Sequence, residues 1–172
     1  MINSKRKKRK KRKKRKKRKK TMKYKSLIQQ LSDRLKKQIY PNLHNVVVLF
    51  IENSVKVHIE LDPTEEYLII GAFIGDLPPG KFREHILKDA LKSNFSLQKN
   101  KGILSYIGKE NTLTVHTKLL LEKTTIDSLM QCLKDLTKRA QSWQEAFEEG
   151  KSSPTDEIPK STHRKKGSIF GF

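Results

Sequence analysis

The order of two hydrophobic periodicities constrains this chain most. Between Tyr24 and Gly150 a helical pattern comes first. Three strand-like runs, a second helical pattern, two further strand-like runs and a long closing helix follow. Apolar residues at three- and four-residue spacing mark a helix face, while alternation or a short β-branched run marks a strand. The order α-βββ-α-ββ-α describes one small α+β domain, a twisted antiparallel sheet flanked by helices.

The first helix is expected over about 24 to 39, with Tyr24, Leu27, Ile28, Leu31, Leu35 and Ile39 on one face and Pro41-Asn42 ending it. Val46 to Ile51 is a continuous apolar run, a strand apolar on both faces. Asn53-Ser54 turns the chain. Val55, Val57, Ile59 and Leu61 then alternate with Lys56, His58 and Glu60, a half-exposed strand. Asp62-Pro63 makes the next turn, and Tyr67 to Ile74 is a third strand. Beyond Gly80, the stripe Phe82, Ile86, Leu87, Ala90 and Leu91 marks the second helix. Ile103 to Ile107 and Leu113 to Leu119 form a hairpin. Thr124 or Thr125 caps a last helix carrying Ile126, Leu129, Leu133, Leu136, Ala140, Trp143 and Phe147. That heptad spacing suits a coiled-coil seam or packing across the chain's own sheet.

Charge is concentrated at the start. Residues 5 to 20 are all Lys or Arg, and setting these sixteen aside reduces the net +21 to about +5. Such a run repels itself and buries no apolar area, so residues 1–21 read as a disordered basic tail. It offers a contact for nucleic acid or acidic membrane through phosphates, but has no aromatic residue to stack on bases. Met22 follows at once and could serve as a start. The domain reads as 22–149, and 150–172 as a flexible tail with an apolar tip at Ile169 to Phe172.

Little in the chain points to catalysis. Gly75 to Lys81 has the G-x-x-x-x-G-K spacing of a phosphate loop. Phe82 replaces the metal-binding Ser or Thr, however, and Pro78-Pro79 removes two backbone donors. His44, His58, His85, His116 and His163 show no metal-ligand pairing on one element, although His58 and His116 would be neighbours on adjacent strands. Cys132 lies beside an apolar stripe and lacks a partner, so it reads as a buried or half-buried thiol. Glu65-Glu66 and Glu148-Glu149 read as solvated charge. No enzyme, no metal and no cofactor is expected. A single cysteine suits a reducing cytoplasm, and no stretch approaches the ~20 apolar residues of a membrane span.

Gly75-Asp76-Leu77-Pro78, then Ile86-Leu87, Ala90-Leu91 and Asn94-Phe95, resembles the class I type III secretion chaperones, the CesT-like (Tir chaperone) family. The hairpin from Gly102 to Leu119 and a last helix with Trp143 also fit, so the resemblance covers about residues 24 to 149. The basic tail and the mildly basic core depart from it. The resemblance implies a homodimer in the bacterial cytoplasm that binds an extended N-terminal segment of secreted effector proteins and keeps them ready for export. The secretion ATPase would be a further partner. It places the dimer interface on Ile86, Leu87, Ala90, Leu91 and Ile103. Effector binding through hydrophobic grooves and strand addition would use Leu27, Ile28, Leu31, Val46, Val48 and Phe50. The rival readings are a nucleic-acid-binding protein using the basic tail and an interaction module built on the last helix.

Overall fold

A computed structural model describes residues 2–51, 55–95 and 102–156. The elements run α1 (Ile2–Leu35), β1 (Val46–Ile51), β2 (Val55–Leu61), β3 (Tyr67–Asp76), α2 (Lys81–Phe95), β4 (Ile103–Ile107), β5 (Thr112–Leu120) and α3 (Ile126–Glu148). All the strand pairs are antiparallel, in the order β1-β2-β3-β5-β4. This is the α-βββ-α-ββ-α arrangement expected of the sequence. The turn at Asn53-Ser54, the linker 96–101 and the tip 169–172 lie outside the described residues.

Alternation sorts the strands into two sides. Val57, Ile59, Leu68, Ile70, Ala72, Leu113 and Val115 point inward and are buried. Against this side α3 crosses β2, β3 and β5, and α1 packs on α3. The heptad stripe of α3 is thereby spent within the chain: Leu129, Leu133, Leu136, Ala140 and Trp143 are all buried in the core. Thr125 is the cap, with Ser128 completing a reciprocal capping box. Together these buried side chains form one hydrophobic core.

The helix α1 ends before its apolar stripe does and begins well ahead of it. It ends at Leu35 because Lys36 turns left-handed at φ 51°. The Lys36 N–H then donates to the Asp33 carbonyl and the Lys37 N–H to the Ser32 carbonyl, a Schellman closure on a non-glycine residue. Ile39 therefore reaches the core from outside the helix. At the other end, the helix takes in the backbone of residues 2–21, the segment that its charge marks as a tail. Lys and Arg are good helix formers, and they extend a helix already nucleated in the core, which removes the cost of a first turn. The root of this extension is tied down. Lys20 Nζ pairs with Glu66 at 3.0 Å, and the Thr21 hydroxyl donates to Glu65 at 3.1 Å.

Two further contacts fix the frame. Asp62 Oδ1 accepts the Glu66 and Tyr67 N–H groups at 2.8 and 2.9 Å, and Oδ2 accepts the Thr64 hydroxyl at 2.6 Å. Burial alone would raise this carboxyl, but the bonds from Thr64, Tyr67 and Glu66 outweigh it and hold the pKa below its usual value. Buried Arg139 donates to the Gly102 carbonyl at 2.9 Å and to the Ser93 hydroxyl at 2.7 Å, joining α3 to the end of α2 and the start of β4. Gly102 has φ 77°, and a Cβ there would lie 2.7 Å from Leu136 and 2.9 Å from the His116 carbonyl oxygen, so only glycine fits.

Candidate partner-binding surface

Both sheet edges carry exposed apolar side chains, and each lies near one of the expected binding surfaces. At the β1 edge, Val48 is 49% and Phe50 54% exposed, and Val46 is half-buried. Tyr40 and Leu43, on the connection leading into the strand, are also exposed. The strand forms here because β-branched residues suit a pleated surface. Its even residues turn away from the core while Val47 and Leu49 fill it.

The backbone of this edge is only partly open. Asn45 uses its carbonyl toward β2, accepting from the Leu61 N–H, so the even residues present theirs to the edge. Asn42 covers the first of these. Its side-chain oxygen accepts the Val46 N–H at 3.0 Å, and its own N–H donates to the Val46 carbonyl at 2.9 Å. Lys37 Nζ donates to the Phe50 carbonyl at 3.3 Å. Among the described residues, the Val48 N–H and C=O and the Phe50 N–H remain for an added strand. Tyr24 pins the entrance, its hydroxyl donating to the Asn45 carbonyl at 2.7 Å. Burial, and then the Glu60 carboxylate, push that phenol's pKa upward.

The first-helix candidates are placed differently. Leu27, Ile28 and Leu31 are buried at 3%, 2% and 0% exposure, in the core under the sheet. They present no surface to a partner in this structure. Their stripe is the seat of α1 on its own domain, and in this structure the three expected binding residues lie in the core.

At the other edge, β4 and α2 form the second apolar region. Asn94 straps them together: its Nδ2 donates to the Leu104 carbonyl and its Oδ1 accepts the Leu104 N–H, both at 2.8 Å. Leu91 is 69%, Phe95 86% and Ile103 56% exposed, and Tyr106 is exposed beside them in sequence on β4. Of the expected interface, Ile86 and Ala90 are buried within the protomer and Leu87 is partly buried. Only Leu91 and Ile103 are left facing out. Phe95 lies one turn beyond Leu91 at i+4, which is the signal in the sequence for continuing the stripe past Leu91.

Among the described residues, the candidates for chemistry are not assembled into a site; His163 lies outside the described residues. The turn from Gly75 to Gly80 is stitched to the β4–β5 turn: the Leu77 N–H donates to the Asn111 carbonyl and Asn111 Nδ2 to the Leu77 carbonyl. It leads from an antiparallel strand, unlike a phosphate loop. His58 and His116 are not on adjacent strands; both pair with Gly71, one from each side. His58 packs edge-on to Phe73 at 4.6 Å, and His116 Nδ1 meets the Ser105 hydroxyl at 3.0 Å. Burial, followed by the Lys56 charge, lowers the His58 pKa. Cys132 is half-buried, and burial with Asp135 nearby raises its thiol to about 11, which makes it a poor nucleophile. Among the described residues no cluster of three or more His, Cys, Asp or Glu could hold a metal ion. Among the same residues no helix is long and apolar enough to cross a membrane.

This fold has solved counterparts. The HopA1-SchA chaperone–effector complex contains a chain 20% identical to this one, with TM-score 0.60, covering 73% of this chain and 95% of that one. The Yersinia pestis type III secretion chaperone SycH, solved with a stable fragment of YscM2, is 21% identical with TM-score 0.54, over 69% of this chain and 97% of that one. A chain of the ExoT-SpcS complex from Pseudomonas aeruginosa is 18% identical with TM-score 0.52, over 69% and 95%. At such identities the likeness is one of fold. No individually curated protein sequence matches. A family model, Tir chaperone protein (CesT), matches residues 26–144, which is most of the described domain. The chain therefore belongs to the Tir chaperone protein (CesT) family, a family of type III secretion chaperones.

Proposed function

We propose that this protein is a homodimeric chaperone that holds the extended N-terminal region of secreted effectors and keeps it competent for export. The observation that carries the reading is the β1 edge. Val48 and Phe50 face outward beside unpartnered backbone groups, as strand addition requires. An effector strand laid there gains main-chain hydrogen bonds and covers these apolar side chains. Its own chain, held extended, cannot collapse. Val46 contributes its side chain but not its backbone, because Asn42 already occupies it.

Dimerisation uses the other edge. Leu91, Phe95 and Ile103 expose apolar area that a symmetric contact would bury, and a domain of this size gains stability from such a contact. Ile86 and Ala90 support that surface from beneath and do not cross it. The two edges are far enough apart in strand order, first and last, for both to be occupied at once. The chaperone works in the bacterial cytoplasm, needs no nucleotide or metal, and hands its cargo to the secretion ATPase.

The test is co-expression of the tagged chain in its native cell, with mass spectrometry of what it retains and limited proteolysis of the retained complex. The reading requires a small set of proteins, each protected in a segment near its N-terminus. Recovery of protected C-terminal or globular domains contradicts it. Light scattering of the purified chain should give the mass of a dimer.

A further inference from the structure

The basic helix is not used by the chaperone reading, and its geometry supports a second binding activity. Sixteen consecutive Lys and Arg residues span 5–20, within a helix that continues without a break to Leu35. At ~1.5 Å rise per residue this is a rod of about 24 Å carrying one positive charge per ~1.5 Å. Duplex DNA carries one negative charge per ~1.7 Å of its axis, a near match of opposite sign. The rod is also aimed. Tyr24, Leu27, Ile28 and Leu31 seat the following turns in the core, and Lys20–Glu66 and Thr21–Glu65 fix its root. Arg6, Arg15, Arg18 and Lys19 are exposed along it.

We infer that this helix is a duplex-DNA-binding element that lies in the major groove without reading sequence. Its charge surrounds the helix because every position from 5 to 20 is basic. A flat acidic membrane neutralises one side of such a rod and leaves the other facing water. A groove about 12 Å wide admits a helix and flanks it with phosphates on both sides. Residues 5–20 also contain no apolar side chain to enter a lipid interface. The A-form major groove of duplex RNA is too narrow to admit the rod. Every i,i+3 and i,i+4 pair in the run is a like-charge pair, which weakens the isolated helix. Phosphates on both flanks relieve that repulsion, so bound DNA stabilises the rod.

The experiment is fluorescence anisotropy of a 20-base-pair DNA duplex with the full chain over a salt series. At about −0.9 per phosphate, six to eight contacts give a log–log salt slope of about −5 to −7. The variant pair K11P and K14P interrupts the helix, whereas K11Q and K14Q removes the same two charges and keeps it. The proline pair is expected to bind at least about tenfold more weakly than the glutamine pair, because proline breaks the helix that carries the charge. Circular dichroism should show a gain of helix on DNA for the full chain and the glutamine pair only. Equal binding by the two pairs would show a flexible polycation and overturn the proposal. A slope shallower than about −2, equal affinity for an RNA duplex of the same length, or tighter binding to phosphatidylserine vesicles at the same salt would overturn it as well.

Discussion

The helices α1 and α2 show the same kind of apolar stripe in sequence and meet opposite fates. The α1 stripe of Leu27, Ile28 and Leu31 is enclosed by its own domain. In α2, Ile86 and Ala90 are enclosed, while Leu91 and Phe95, on the adjoining face, stay in water. Periodicity states that a helix has a face to bury; it does not state what buries it. The difference arises from what lies opposite. The α1 stripe meets the core built by α3 and the sheet, whereas α2 packs mainly against β4, an edge strand. Half of the α2 stripe therefore overhangs.

Substitutions should separate these fates sharply. The largest effect is expected from Leu31→Ala, which opens a cavity in the core and should cost about 2–5 kcal/mol in chemical denaturation. The double change Leu91→Asp with Phe95→Asp should leave the protomer's secondary structure in place and weaken dimerisation at least about 30-fold, or about 2 kcal/mol, by sedimentation or light scattering. A large loss of protomer stability in that variant would erase the contrast between the helices. Asp62→Asn should cost about 1–3 kcal/mol, because a charged acceptor of two backbone N–H groups is lost. The folded Asp62 carboxyl is held below its usual value, so its contribution is complete above the unfolded value of about 3.9 and disappears as pH falls through the folded one. The gap between the wild-type and Asn variants should accordingly close in acid. The smallest effect is a gain: Lys36→Gly relieves a left-handed residue at φ 51° and should add up to about 1 kcal/mol to the denaturation free energy.

The sequence made the strands legible because two signals agree in each of them. In β2, alternation and turn residues at both ends mark the same segment; in β1 the pleat puts Val46, Val48 and Phe50 on one face, but a run apolar on both faces does not say which face is outward. Buried and exposed stripes were not separable within the helices, since both use Leu and Ile at the same spacing. Leu27, Ile28 and Leu31 show that limit. Tyr40, Leu43 and Tyr106 gave no signal because isolated apolar residues in turns and edge strands are common. Arg139 was invisible for another reason: its partners, Gly102 and Ser93, are 37 and 46 residues away in the chain. The early end of α1 depends on Lys36 adopting a conformation that lysine seldom takes, which no spacing announces.

We propose that the β1 edge, and not the α1 stripe, receives the effector. Hydrogen exchange of the full chain, alone and with a co-purified effector segment, tests it most directly. Slower exchange across Val46 to Ile51, strongest at Val48 and Phe50, with Leu27 to Leu31 unchanged, is the expected result. Unchanged exchange in β1 together with altered exchange across Leu27 to Leu31 would contradict it, and would mean that α1 leaves the core to bind.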